Sequence, residues 1–285
     1  MALVASPYGF RPVRLISGRE TGGAFPTEQF PIKSGYSGVI PYGSPVVLTA
    51  PASIGTISGI TVSGTTATVT TSSAHGLVVG QPVTIASATG NTTVNGTWIV
   101  LAVPTTTTFT YTYPGANQNA VTGSPTGTAN GGYLNLPTDG GFNSAGDHYV
   151  GIFVGSQYVN PNNNQPQWDQ WYPGSVTAPT NTSIYGYVVT DPEVVLQVQA
   201  QYAQFDAQSN LGYSYKFYVP ATAYNSTNKN SVLALDAGTG SSGTNSAYPY
   251  KVVGYSTDPN NTNAVGYVDV YVKAQSAVHL YERAL

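Results

Sequence analysis

From Ser34 to Thr138 the chain carries no Asp, Glu, Lys or Arg, more than a hundred residues without a formal charge. Such a segment cannot use ion pairs to stay soluble or to choose its partners. Hydroxyls and amides must do both. The whole chain leans the same way: charged residues make up 7% of its 285 positions, against roughly 25% in a typical soluble domain. Hydrophobic content is 41%, enough for a packed core and too high for general disorder. The surface this implies gives salt little to screen and pH little to titrate. Chemistry that needs acids, bases or thiolates has few residues to draw on.

A net charge of −3 without a basic stripe argues against nucleic-acid binding by phosphate neutralisation. Cysteine is absent, which removes disulfide frameworks, thiolate metal sites and cysteine nucleophiles. The opening residues "MALVASPYGFRPVRL" hold no apolar core of signal-peptide length and are broken by Pro7 and Pro12. No apolar run approaches the roughly 18 residues of a membrane span. The expectation is a protein made in the cytoplasm and kept there until assembly or release, with neither nucleic acid nor membrane as partner.

Helix signals are nearly missing. Short runs rich in Val, Ile, Thr and Tyr alternate with Gly, Pro and Asn clusters: "YVGIFV" (149–154), "YGYVVT" (185–190), "YSYKFYV" (213–219), "YKVVGYS" (250–256) and "GYVDVYVKA" (266–274). Residues 194–204 alternate apolar and polar side chains at strand period. This pattern predicts an all-β protein whose body is a sandwich, jelly-roll-like fold or barrel. In "GYVDVYVKA", Val268, Val270 and Val272 are expected to face the core, with Tyr267, Asp269, Tyr271 and Lys273 on the opposite face.

The run from 56 to 129 reads as a small β-sandwich, Ig-like or barrel domain inserted into that body, which comprises 36–55 and 130–285. Its strands are "TATVTT", "QPVTIA", "GTWIVLAV" and "TFTYTY". Its expected core is Val83, Ile85, Trp98, Val100, Phe109 and Tyr111. "WIVLAV" is apolar at successive positions, which predicts a central strand covered on both faces. "TGSPTGTANGG" (122–132) reads as a turn-rich linker. Residues 1–35, with Arg11, Arg14 and Arg19 among Pro and Gly, read either as an irregular segment lying on its own domain or, more sharply, as an extended N-terminal arm that docks on another subunit.

"SPYGFRPVRLISGRE", "FPIKSGYSGVIPYGSPVVLT", "YVGIFVGSQY", "NQPQWDQWYPG", "YGYVVTDPEVVLQVQAQ" and "YPYKVVGYSTDP" together resemble the capsid decoration (cement) and minor head proteins of tailed bacteriophages. "AHGLVVGQPVTIASATG" with "NGTWIVLAV" and "TTFTYTYPG" is similar to a short β module of phage structural proteins. The resemblance implies a virion structural protein, with self-association as a homotrimer or other small oligomer. It would sit on the exterior of an icosahedral head, where major capsid protein subunits meet. Arg11, Arg14 and Arg19 are then the expected capsid contacts, and the inserted domain is expected to face outward.

No residue pattern points to a catalytic, cofactor or metal site. His75 precedes Gly76 at a turn, where an imidazole can cap backbone. Ser144, Asp147 and His148 lie too close in sequence for a triad to converge. Asp191 and Glu193 flank Pro192 in "TDPE", a turn entering a strand, and are the pair a glycan-cleaving enzyme would need. "DPNNTN" (258–263) is a polar loop, and His279 falls in the last strand or tail. The main rival reading is glycan or host-surface binding, as in a head fibre or tail-associated adhesin. Trp168, Trp171 and Tyr172 would carry it as rings on which sugars stack, or would serve an interface.

Overall fold

The computed structural model describes residues 7–17, 25–49, 52–115, 121–129, 132–137, 148–179, 182–201, 209–220, 222–236, 248–256, 267–275 and 279. By its contacts the chain divides into two compact units, residues 50–132 and residues 1–49 with 133–285.

The larger unit, called the body, begins with β1 (Arg11–Leu15), β2 (Thr27–Ile32) and β3 (Pro45–Leu48). The smaller unit follows with β4 (Ala52–Ser63), β5 (Thr66–Thr71), β6 (Pro82–Thr89), β7 (Gly96–Thr105), β8 (Thr108–Thr112) and β9 (Thr122–Ala129). The body resumes with β10 (Leu134–Asn135), β11 (His148–Val159), β12 (Pro166–Asp169), β13 (Ile184–Val189) and β14 (Val194–Gln199). It ends with β15 (Ser214–Tyr218), β16 (Ala234–Asp236), β17 (Tyr250–Tyr255) and β18 (Asp269–Ala274). The fold is all-β.

Two antiparallel sheets build the body. The first runs β1-β14-β18-β17-β15-β16, and the second β10-β3-β11-β13-β2 with β12 also paired to β11. Leu196, Val198, Val270, Val272 and Val252 of the first sheet share one core with Val47, Tyr149, Ile152 and Val189 of the second. The opposite face of the second sheet, with Val46, Val150, Phe153 and Val188, packs on Ile40, Tyr172 and Val176 from its loops. The alternation in β18 follows from period-2 burial: Val270 and Val272 are buried, while Asp269, Tyr271 and Lys273 are half-buried on the outer face.

The described part of 1–35 corrects the expectation of an extended arm. β1 pairs with β14 and β2 pairs with β13, so both strands are edges of the body's own sheets. Phe10 is fully buried in the shared core, stacked on Tyr250 at 4.5 Å between ring centroids and edge-on to Phe217 at 6.2 Å. A large ring in that position anchors the segment to its own chain.

The smaller unit is a closed barrel, β4-β5-β8-β7-β6-β9. Closure removes free strand edges, which suits a unit that has no charged side chains to guard them. Val83, Ile85, Val100, Phe109 and Tyr111 are buried inside it, and Trp98 stacks on Tyr111 at 4.9 Å with Nε1 donating to the Val94 carbonyl. Two expectations fail here. "TGSPTGTA" is not linker but β9, which closes the barrel against both β4 and β6. Its inward positions are small because large neighbours fill the space: a Cβ on Gly127 would come within 2.4 Å of Ile54 Cδ1. Pro125, which lacks an N–H, sits where the ladder to β6 skips register. "WIVLAV" forms β7 but is not covered on both faces, since Ile99 and Leu101 point outward at 58% and 54% exposure.

Candidate functional site

The body's first sheet gathers charge on its outer face. β1 has a register shift between Pro12 and Arg14. Arg11 and Arg14, three apart and so out of phase on a regular strand, therefore reach the same face. Arg11 lies opposite Gln197 and then Tyr271, and Arg14 opposite Val195, Lys273 and Lys251 in turn. Lys216 joins from β15, opposite Asp236. Five of the chain's nine basic residues thus share one sheet face. Facing them are Asp269, which accepts from Gln197 at 3.1 Å, Asp236, and Glu193, which pairs with Lys273 at 2.5 Å. The Arg11 guanidinium lies 4.2 Å from the Tyr8 ring centre, and that of Arg14 lies 5.5 Å from the Tyr271 ring. Both arginines stay exposed. Rings that hold a guanidinium in place lower the entropy it loses on meeting an acidic partner. Arg19 lies outside the described residues.

The three aromatics read as one cluster are separated. Tyr172 is fully buried, its hydroxyl donating to the Tyr36 carbonyl at 3.1 Å, so it belongs to the core. Trp171 is half-buried, with the Lys229 ammonium 5.4 Å from its ring centre. Trp168, on β12, points to the opposite side from the buried Tyr158 and is 56% exposed. Its ring neighbour is Tyr187 of β13, 5.9 Å away. That partner is remote in sequence and becomes visible only through the pairing of β11 with both β12 and β13.

The acid and imidazole candidates are occupied by structure. Asp191 accepts the Glu193 backbone N–H at 2.8 Å through Oδ1 and the Val194 N–H through its carbonyl. It makes the turn into β14 that "TDPE" signals. Glu193 turns instead to Lys273. His75 is buried; its Nδ1 accepts from the Leu77 N–H at 2.9 Å, and its ring meets the Phe109 ring edge-on. His279 is buried against Tyr149 at 5.3 Å. The backbone of His148 pairs with Leu48 in β11, while Ser144, Asp147 and residues 258–263 lie outside the described residues. Among the described residues, no group of three or more His, Asp or Glu side chains converges to hold a metal.

Buried phenols are the titratable feature of the body. Burial, then the nearby Asp269 carboxylate, raises Tyr8 far above its ordinary value. Burial does the same for Tyr149 and Tyr250, and pushes Tyr215 up to about 12, with Tyr213 adding to the effect. A phenol whose folded value is raised contributes stability fully present below its unfolded value near 10, and lost as pH climbs above it. Alkaline titration is therefore expected to show a group of tyrosines that ionise together with unfolding above about pH 10. Phenolate absorbance tracked beside circular dichroism checks this, and independent ionisation of every tyrosine in folded protein would contradict it.

Comparison with known proteins returned no matching family model, no matching curated protein and no matching solved structure.

Proposed function

We propose that this protein is a capsid decoration, or cement, protein of a tailed bacteriophage. In this reading it is a homotrimer on the exterior of an icosahedral head, at junctions between major capsid protein subunits. Its work is mechanical and not enzymatic.

The observation that carries the reading is the uneven placement of charge. The barrel has no charged residue, while one sheet face of the body carries Arg11, Arg14, Lys216, Lys251 and Lys273. Among the described residues that face sets five cations against Asp269, Asp236 and Glu193, an excess of positive charge on a chain of net charge −3 that suits docking on an acidic surface. The stretches that resemble phage head proteins also fall in the body: "SPYGFRPVRL" contains β1, "YVGIFVGSQY" lies in β11 and "NQPQWDQWYPG" contains β12. Occupying a junction between shell subunits with an interface of roughly 1,600 Å² raises the cost of separating them. Repetition over many copies makes that cost large without any reaction.

Particles lacking the protein are expected to assemble and to release DNA at a lower temperature than complete ones. Adding back the double variant R11E/R14E is expected to leave sites unfilled, and wild-type occupancy is expected to fall as ionic strength rises. Equal heat tolerance with and without the protein would overturn the stabilising role. Full occupancy by the double variant would overturn the docking face.

A further inference from the structure

The second sheet of the body is wider than its cover. On β13, Val189 enters the core shared with the first sheet. Two and four residues earlier on the same face, Tyr187 is half-buried and Tyr185 is exposed. Tyr185 lies opposite Gln157 of β11, and Gln157 lies opposite Trp168 of β12, so the three form one cross-strand row. Pro31 continues the row on β2 and Gln29 lies beside it, opposite Tyr187. Trp168 and Tyr185 are thus two strand spacings apart, about 10 Å.

Three details give this face a definite chemistry. The indole of Trp168 lies over Gly155, where a Cβ would approach its ring atoms to 3.2 and 3.3 Å. That edge of the ring is held close to the backbone, while the residue as a whole stays 56% exposed. Second, Gln29 Nε2 donates to the Tyr187 hydroxyl at 3.0 Å, and that hydroxyl donates to Gln157 Oε1 at 2.6 Å. The chain uses one end of each amide, so Gln157 Nε2 remains as a donor and Gln29 Oε1 as an acceptor, both fixed in direction. Third, the row and its neighbours carry no charge; Glu28 and Asp169 alternate to the other face, where Asp169 accepts from Tyr158 and Gln167.

We infer that this face, built on Trp168, Tyr185, Tyr187, Gln157 and Gln29, binds a neutral carbohydrate chain. A pyranose ring has an apolar face of C–H groups and an equator of hydroxyls. A flat ring held over glycine takes the first, and oriented amides take the second. Aromatic residues carried on strands about 10 Å apart suit a short run of sugar units lying across the strands. An acidic glycan would need a cation, and among the described residues none in this row carries one. This inference is independent of the proposed docking face, which lies on the other sheet.

The test uses the full chain in native gels cast with neutral polysaccharides (dextran, galactomannan, glycogen) and, separately, with alginate. Retardation by at least one neutral polysaccharide and not by alginate is expected. W168A is expected to weaken it by about tenfold, the effect of losing roughly 1.4 kcal/mol of stacking, and Y185A by less, with unchanged thermal unfolding. Q157A tests the amide and is expected to change which polysaccharide is preferred. No retardation by any neutral polysaccharide, retardation by alginate alone, or retardation that survives W168A would overturn the inference. So would an absence of retardation coupled to a change of oligomeric state in W168A, which would make the face a contact between copies. Because the measurement involves no capsid, its failure leaves the decoration reading standing, and the reverse also holds.

Discussion

Replacing Gly151 by alanine is expected to unfold the body and leave the barrel folded. Gly151 sits at a register shift where β11 pairs with β3, and the neighbouring strand β13 presses directly on it. A Cβ there would lie 2.0 Å from the Val189 carbonyl oxygen and 2.9 Å from Val188 Cγ1. Neither backbone nor a core valine can yield by that much without parting β11 from β13. The cost expected is about 3 kcal/mol or more, a large share of the 5–15 kcal/mol that holds an ordinary domain. The barrel has its own core and its own closed ladder. Tryptophan emission separates the two: Trp98 is in the barrel, and Trp168 and Trp171 are in the body. With both body tryptophans changed to phenylalanine, G151A is expected to keep the Trp98 transition of its parent. Calorimetry should show the body transition lost or moved far down. A single unchanged transition would refute the argument.

Phe10→Ala is the second large effect, and it decides what the N-terminal segment is. An arm reaching for a neighbour would lose little stability on truncation of one ring. Phe10 instead fills the space between Tyr250 and Phe217. Large-to-small changes at such sites cost about 3–5 kcal/mol through lost transfer energy and the cavity left behind. For a body of this size the melting temperature is expected to fall by roughly 10 °C. Calorimetry on the isolated protein, with no capsid present, measures it. A fall of less than a degree or two would restore the arm.

The all-β class and the strands richest in Val, Ile and Tyr were legible in the sequence because alternation is a local property. β5 is "TATVTT" residue for residue, β14 and β18 fall on the segments that alternate, and β11, β13 and β17 fall on runs rich in Val, Ile and Tyr. β9 was not legible, since its buried positions are Pro125 and Gly127, and a Cβ on Gly127 would meet Ile54 and Ile57 of the adjoining β4. No local pattern signals a strand whose requirement is to be small. The outward Ile99 and Leu101 misled for a related reason, because an apolar outer face imitates a buried strand. Arg11 and Arg14 could be singled out as rare charges, but only the register shift in β1 aligns them. Trp168 was visible as an aromatic residue in a polar loop. Its neighbours were not, because Tyr187 and Gln29 reach it through pairings that span up to 158 residues.

The way the barrel joins the chain has a consequence for inheritance. Ala52 and Ala129 are partners across β4 and β9, so the unit begins and ends at one place. In the body, the Thr49 N–H donates to the Tyr133 carbonyl at 2.9 Å, and the Tyr133 N–H donates to Thr49 Oγ1 at 3.2 Å. These two residues extend the β3–β10 ladder to its end, where a tight turn would close it equally well. The entropy of closing a loop grows only slowly with its length. Recombination at codons 50 and 132 can therefore remove this cassette, or exchange it for another whose termini meet, with little effect on the host fold. Chains that share the same body are free to differ in the unit inserted there.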